Sequence, residues 1–399
     1  MTSQREPSQR FRVDATGIDL DQDELARFAR HLSLPEVGLA GQQSLKMASV
    51  LCVGSGGLGS SALLYLAAAG VGRLGVVDFD VVEVSNLQRQ IIHSHRSLGK
   101  PKTNSAKDRI LEINPNCKVD LYNVALKVEN ALEIIYDYDI VIDGTDNFQA
   151  RYLVNDACVI LGKPNVYGSV QRFEGQASVF NLGPHSPNYR DLVPEPPPAN
   201  LVPSCAVAGV LGVLPGLIGV IQATEAIKII TGIGSTLSGR LLLIDALTMT
   251  FRQMTLKPSP ERFVIDKLID YDEFCYGKSQ SDDDKSSAPF ESVSVHQLKT
   301  LSESSEDDYV LIDVRTPDEA RIAAIDGSIL IPLDTIETGD SVDRIRSLAK
   351  GRKVYVYCKF GMRSAKALTI LRTYGIEGIN LSGGIDAWAK NIDLMMKRY

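Results

Sequence analysis

The sequence predicts an α/β protein: a doubly wound, mostly parallel sheet with an antiparallel extension, followed by a second, small α/β domain. Three observations carry that expectation. Short apolar runs alternate with helical segments along most of the chain. A glycine turn joins the first such run to a helix rich in Ala and Leu. A polar stretch near residue 280 separates two alternating regions, and 399 residues exceed the usual size of one domain.

In chain order, Glu24 to Leu34 reads as a helix anchored by Phe28, Leu32 and Leu34 and stopped by Pro35. Ala48 to Val53 is a strand entering Gly54-Ser-Gly-Gly-Leu-Gly59, and Ser60 to Ala69 is the helix after it. Leu74 to Asp80 is the second strand, Lys102 to Ile113 a helix and Val119 to Val124 a third strand. Ile140 to Ile142 is a further strand, ending at Asp143-Gly-Thr-Asp-Asn147. This alternation implies a parallel sheet covered on both faces, with ligands at the carboxyl ends of its strands.

Phe173 to Asn181 alternates like an antiparallel strand. Pro184 to Pro203, dense in proline, is expected to be an extended surface segment without helix that delivers Cys205. A helix carrying Gln222, Glu225 and Lys228 and the strand Arg240 to Asp245 close a first domain taken as residues 1–276. Residues 277–291 are polar, charged and poor in apolar anchors, which marks a linker. In the second domain, residues 292–399, strands are expected at Val310 to Asp313, Ser328 to Ile331 and Val354 to Tyr357, and a helix at Arg363 to Tyr374.

A net charge of −7 argues against general nucleic-acid binding and against an anionic membrane surface. Met1 to Leu20 is polar and does not read as a secretory signal. The apolar run Ala206 to Ile221 is broken by four glycines and Pro215, so a buried helix or subunit contact is expected rather than a membrane span. Six cysteines occur without a CxxC pair, which points away from disulfides and zinc and towards a reducing cytoplasm. Cys52 and Cys158 read as core residues, and Cys117 and Cys275 as surface connections. The five histidines, His31, His93, His95, His185 and His296, show no ligand spacing.

The glycines Gly54, Gly56 and Gly59 suit a tight turn, close approach of backbone to phosphate, and a helix N-terminus aimed at negative charge. Asp78, 19 residues after Gly59, is placed to accept from ribose hydroxyls. To this point NAD and ATP are served equally. Ser85-Asn-Leu-Gln-Arg-Gln90 and Lys102 then supply cations suited to a triphosphate and unneeded by a nicotinamide. Asp146 follows a strand end where a carboxylate could hold Mg2+. An NAD-dependent oxidoreductase is the alternative from another reaction class.

The runs GSGGLG, DFD, VSNLQRQ, GKPK, DGTDN and SCAVAGV resemble the ubiquitin-activating superfamily, in particular the MoeB/ThiF-like adenylyltransferases that activate ubiquitin-like sulfur carriers. That resemblance, over roughly Glu24 to Gly277, implies a Rossmann-like first domain and a site for ATP. It implies Gly57 on the phosphates, Asp78 with Asp80 on the nucleotide, and Ser85, Asn86, Leu87, Gln88, Arg89 and Lys102 on the triphosphate and leaving group. Asp146 and Asn147 are implied on the metal and adenosine side. Arg30 resembles an arginine sent into a partner subunit's ATP site, which implies a homodimer. Cys205 matches a cysteine considered a thioester or persulfide site, and a helix N-terminus there would stabilise a thiolate. Many relatives carry two CxxC pairs for zinc where this chain has Asn188-Tyr-Arg-Asp191 and Phe263-Val-Ile-Asp266. Zinc is therefore expected to be absent and the region held by packing.

Cys358-Lys359-Phe360-Gly361-Met362-Arg363 follows a strand and feeds a helix, so its backbone N–H groups can wrap a sulfur anion that Lys359, Arg363 and the helix dipole favour. With Asp313-Val-Arg315, Ile331-Pro-Leu333, Gly383-Gly384 and Trp388, the segment resembles a rhodanese domain over Ser292 to Met396. The histidine-glycine segment usual in that family reads Ala323-Ala-Ile-Asp-Gly327 here. Together the resemblances imply adenylation of a carrier's C-terminal Gly-Gly by ATP and Mg2+, then sulfur transfer from a Cys358 persulfide to give a thiocarboxylate, in molybdopterin or related cofactor synthesis. A cysteine desulfurase persulfide or thiosulfate would be the sulfur donor. A non-catalytic rhodanese docking module is the other reading of the second domain.

Overall fold

β1 (Ser49–Val53) is the strand on which the first sheet is built, buried from Val50 to Val53 and paired in parallel on both sides. The computed structural model describes residues 18–197, 209–276, 290–303 and 309–399. The chain divides into two units, Met1–Ser279 and Gln280–Tyr399. In the first, β1 lies between β2 (Arg73–Val77) and β4 (Ile140–Asp143), with β3 (Lys118–Tyr122) beyond β2. The chain steps outward from β1 through β2 to β3, then crosses to β4 on the opposite side. A topological switch point therefore lies between β1 and β4, where such sheets open a crevice.

β5 (Asn165–Gln171) continues the parallel order, and β6 (Glu174–Phe180), β7 (Arg240–Asp245) and β8 (Thr250–Thr255) add the antiparallel extension, giving β3-β2-β1-β4-β5-β6-β7-β8. One face packs on the helices Gly57–Ala69, Lys102–Ile113 and Val213–Thr231 through residues such as Leu63, Leu66, Ile110 and Ile229. The other packs on Ala131–Tyr136 and Phe148–Leu161 through Ile135, Tyr152 and Cys158. Val213–Thr231 is long and apolar enough to cross a membrane by length and composition. Its buried Gln222, however, donates Nε2 to Asp143 O (2.8 Å) and Val166 O (2.9 Å), which ties it to this sheet as a core helix.

Several expectations change. The helix expected over Glu24 to Leu34 breaks at Phe28 (φ −98°, ψ 14°) into Gln22–Arg27 and Ala29–Leu32. Phe28 turns inward beside Gly70, while Leu34 is exposed and anchors nothing. The proline-rich segment is not free of helix. Asn188 caps Tyr189–Leu192 by accepting from Arg190 N (2.8 Å), and no proline falls between residues 188 and 193 to prevent it. Cys117 is buried rather than superficial, and burial pushes its thiol up to about 12. Cys275 sits half-buried in the helix Tyr271–Tyr276, with its thiol pushed up to about 11 by burial and by Asp272. Cys205 and most of the linker lie outside the described residues.

The region around Asn188 to Asp191 is held by more than packing. Arg190 makes a two-pronged ion pair with Asp156 (Nε–Oδ1 2.9 Å, Nη2–Oδ2 2.7 Å), and the Tyr271 hydroxyl donates to the same carboxylate at 2.8 Å. The guanidinium also lies over the Phe263 and Phe274 rings, at 5.0 and 4.7 Å. Asp191 accepts from Ser259 N (2.8 Å) and from Arg262 Nη2 (2.7 Å). Two ion pairs thus join residues 188–191 to the helix Phe148–Leu161 and to the 259–263 segment.

In the second unit all pairings are parallel, in the order β11-β10-β12-β13-β9, for β9 (Ser292–Val293), β10 (Tyr309–Asp313), β11 (Ile329–Leu330), β12 (Lys353–Tyr357) and β13 (Ile379–Leu381). A separate core lies on each face, one around Ile312, Val356 and Leu371 and the other around Leu311, Tyr355 and Trp388. The carboxyl ends of the central strands β10 and β12 carry Asp313 and Cys358.

The Asp156 pair is buried on both sides, so Asp156→Ala strands a charged Arg190 and is expected to cost about 3–5 kcal/mol in urea unfolding of the full chain. Asp191→Ala faces a partly exposed Arg262 and is expected to cost less, about 1–3 kcal/mol. Losses under about 0.5 kcal/mol in both would mean the pairs hold nothing together.

Candidate active sites

The first unit's site begins where β1 ends. Gly54 has φ +93°, and a Cβ there would stand 2.8 Å from Gly144 O, because the turns leaving β1 and β4 touch through their backbones. Gly59 is needed for a different contact: its Cβ would fall 1.9 Å from Gly54 O, so only glycine lets the helix Gly57–Ala69 start this close to the strand. Asp78, at the end of β2, fastens the turn, accepting from Ser55 N and Ser55 Oγ at 2.9 Å each and from Asp80 N at 3.0 Å. Asp143 shapes the neighbouring turn by accepting from Thr145 N (3.0 Å) and Oγ1 (2.6 Å), and burial pushes its carboxyl up.

These turns floor a cleft of about 970 Å³. Of the residues expected from sequence, Gly54, Gly56, Gly57, Asp78, Asp80, Arg89, Lys102, Asp146 and Asn147 line it. Gly59 lies behind the turn. Ser85 to Gln88 do not reach the wall, since Val84–Asn86 form a 3-10 turn in which Asn86 Oδ1 accepts from Glu83 N at 3.0 Å. The turn instead presents Arg89, whose Nη1 donates to Ser85 O (3.0 Å). Lys102 is buried and ion-paired with Asp80 at 2.8 Å, so Asp80 holds the ammonium at the wall. Arg30 is exposed on its four-residue helix and does not line the cleft.

Three side chains and one wall segment escaped the sequence reading. Gln90 is buried in the wall beside Arg89 with Oε1 lacking a hydrogen-bond partner, a residue within the quoted run but without a stated role. Arg151 reaches the cleft from the helix Phe148–Leu161, donating to Thr145 O (3.3 Å) over the Tyr167 ring, and a lone arginine among apolar residues was the available signal. His93 bridges Ser55 O (3.2 Å) to Ser105 Oγ (3.0 Å), joining the glycine turn to the helix that carries Lys102. Burial, with Lys102 nearby, pushes it down to about 4, so near neutral pH the ring is uncharged and serves as a brace. The segment Leu268 to Asp272 closes the far wall, which no motif announced.

In the second unit Cys358 is buried at the end of β12, with Sγ accepting from Gly361 N at 3.1 Å and lying 3.5 Å from Ser364 Oγ. Gly361, at φ +100°, turns the loop into the helix Met362–Thr373. Gly383 and Gly384 strap it from behind: Ile385 N donates to Cys358 O (3.0 Å) and Asp386 N to Lys359 O (3.1 Å). A Cβ on Gly384 would strike Cys358 O at 2.2 Å.

The charges around the loop are paired with groups from elsewhere in the unit. Arg363, expected to favour a sulfur anion, does feel the charge of the Cys358 sulfur, and both its terminal nitrogens are also held by Glu319, at 2.6 Å each. Burial opposes ionisation of Glu319, yet its bonds from Arg363 and Thr316 hold it down at about 2, so the pair is charged near neutral pH. Arg315 is fully buried against Asp313 (2.9 Å from Nε) and donates to Ala323 O (2.8 Å) and to the Tyr399 hydroxyl (2.7 Å). The Ala323 to Gly327 segment is thereby anchored without histidine, with Ile325 N donating to the Tyr357 hydroxyl at 3.2 Å. Lys359 lies 4.5 Å above the Tyr399 ring.

Comparison with known proteins agrees with both halves. Residues 28–263 match the ThiF family and residues 294–391 the rhodanese-like domain. The "Probable adenylyltransferase/sulfurtransferase MoeZ" of Mycobacterium tuberculosis is 48% identical, over 95% of this chain and 96% of its own. The "Adenylyltransferase and sulfurtransferase MOCS3" of Aedes aegypti is 41% identical, over 94% and 89%. The "Probable molybdopterin-synthase adenylyltransferase" of Porphyra purpurea is 39% identical, over 96% and 97%. Among solved structures, E. coli MccB with ATP superposes with a TM-score of 0.52 at 21% identity, covering 59% of this chain and 73% of that one, a likeness of fold alone. The chain belongs to the ThiF family and, with the rhodanese-like domain that follows, is an adenylyltransferase with sulfurtransferase activity.

Proposed function

We propose that the first unit adenylates the C-terminal glycine of a ubiquitin-like sulfur-carrier protein and that the second supplies sulfur from a Cys358 persulfide, leaving a thiocarboxylate for molybdopterin or a related sulfur-containing cofactor. The observation that carries this reading is the meeting of Arg89 and Lys102 with the Gly54–Gly57 turn at one switch-point cleft. Backbone N–H groups and a helix N-terminus receive phosphate charge, and the two cations take up the charge that grows as pyrophosphate leaves.

The carrier's own carboxylate attacks the α-phosphate, so no side chain has to act as nucleophile or base, and the protein contributes positioning. Asp78 holds the turn and, lining the cleft, would accept from the ribose hydroxyls. Asp146, exposed on the wall, suits a magnesium ion, which binds through one or two carboxylates and phosphate oxygens and would offset triphosphate charge. Arg30, exposed and away from its own cleft, fits a role across a homodimer. Cys205 would serve as an acyl or persulfide relay. The ion pairs around Asp156 and Asp191 support a fold held there without zinc.

ATP–pyrophosphate exchange is expected only with a carrier ending in Gly-Gly, and Lys102→Ala is expected to lower kcat by about a hundredfold or more. Exchange without a carrier, or undiminished in the variant, would remove the proposal. Cys358→Ala is expected to keep the exchange and lose sulfur transfer. Full thiocarboxylate yield from that variant would leave the second unit as a docking module. Chelation is expected to stop adenylation, magnesium alone to restore it, and elemental analysis to find no stoichiometric zinc; one zinc per chain would overturn the last point.

A further inference from the structure

The Glu319–Arg363 pair bears on which sulfur donor the second unit accepts, an inference that rests on Cys358 being the sulfur-carrying residue. The two donor classes differ in charge. A hydropersulfide gives up its outer sulfur to the Cys358 thiolate: the Cys358 S–S bond forms, the donor S–S bond breaks, and a thiolate departs. Thiosulfate undergoes the same displacement, but its leaving group is sulfite, a dianion that must be bound before and during the step. A site for that dianion needs donors able to face it, and an arginine fork is the side chain best shaped to do so.

Arg363 is the loop's arginine, and its fork is occupied. Nη1 and Nη2 lie 2.6 Å from Glu319 Oε2 and Oε1, and the Tyr399 hydroxyl donates to Oε1 from 3.3 Å. The pair is only about one-fifth exposed on either side. Glu319 is itself fixed, because its Oε2 also accepts from Thr316 N at 3.1 Å and completes the cap of the helix Pro317–Ile322. The carboxylate thus occupies both terminal nitrogens of the guanidinium that carries the loop's charge towards Cys358, so the fork is not open to a second anion. Arg315, the other arginine of the network, is bonded to Asp313 and Tyr399 and fully buried.

We propose that Glu319 is a specificity-determining residue: by holding Arg363 it turns the Cys358 loop against dianionic sulfur donors and leaves it to hydropersulfides. Glu319→Gln keeps an oxygen for the Thr316 cap while removing the charge that restrains Arg363. Sulfur transfer to cyanide by the full chain, with thiosulfate or cysteine hydropersulfide as donor, is the test.

In Glu319→Gln the KM for thiosulfate is expected to fall by about tenfold, the scale of one hydrogen bond to a charged group, while that for the hydropersulfide stays within about twofold. The rate of Cys358 alkylation by iodoacetate relative to iodoacetamide, located by peptide mass, is expected to rise in the variant. That ratio reports charge at the sulfur without sulfur transfer, so it decides on Glu319 even if neither donor works in the wild type, a result that would instead sink the sulfur-carrying role of Cys358. An unchanged thiosulfate KM with an unchanged alkylation ratio overturns the proposal, as does an equal gain for both donors. Should Glu319→Gln fail to fold, Glu319→Asp, which retains the charge but withdraws it from Arg363, is expected to move both readouts in the same direction, and no movement would overturn the proposal.

Discussion

The contact between the backbone turns at Gly54 and Gly144 is the constraint on which the first unit depends. Two parallel strands that diverge at a switch point leave a crevice, but a crevice becomes an anion site only where the backbone itself forms its floor. A side chain on Gly54 would separate the turns, and one on Gly59 would push the helix away from the strand. The elements behind them hold that geometry. Asp78 ties the first turn to β2, Asp143 curls the second, Gln222 bridges Asp143 O to Val166 O from the core helix, and His93 links the turn to the helix bearing Lys102. Each tie is a polar group buried with a partner, so loss of one leaves the other costly to desolvate.

The two units hold negative charge in different ways. In the first, the cations are poised for a ligand: Lys102 rests on Asp80, a carboxylate about half exposed, and a triphosphate can compete for an ammonium held that way. In the second, the cation is committed. Arg363 sits in a two-pronged pair that is mostly buried, and Cys358 Sγ accepts from the Gly361 N–H and from the Ser364 hydroxyl at the start of a helix. A nucleotide site must gather and release several charges, whereas a sulfur carrier has to hold one anion.

Most of the first sheet was legible because strand, glycine turn and helix follow one another with little between them. Lys102–Ile113 begins and ends where its sequence says, with Pro101 before it and Asn114 after. The residues that missed expectation failed for physical reasons a pattern does not carry. Ser85 to Gln88 share a motif with Arg89, yet a 3-10 turn directs only its last residues to the cleft. Arg363 looked available because its partner Glu319 is 44 residues away and serves visibly as a helix cap. The tie between residues 188–191 and 259–263 was unreadable for the same reason, since Asp156, Asp191, Arg190 and Arg262 belong to segments distant in sequence. Leu34 shows the limit of the pattern that named it, with Phe28, an anchor of one helix: the chain breaks at Phe28, which stays buried, and Leu34 beyond the break is exposed.

The ion-paired arginine also bears on reactivity. A sulfur anion paired with a guanidinium is more stable and, by the same measure, a poorer nucleophile, because nucleophilicity falls with basicity. An acyl adenylate is already activated and carries a good leaving group, so its attack needs a competent sulfur nucleophile more than further electrophilic help. If Cys358 carries a persulfide as proposed, a loop that offers the sulfur the Gly361 N–H and the Ser364 hydroxyl, and shares its arginine with Glu319, would keep that anion reactive towards such an acceptor. On the proposed reading, the carboxylate that would turn away a dianionic donor would also have a consequence at the other end of the reaction. A sulfur facing a guanidinium shared with Glu319 would then pass on more readily than one facing an unshared arginine.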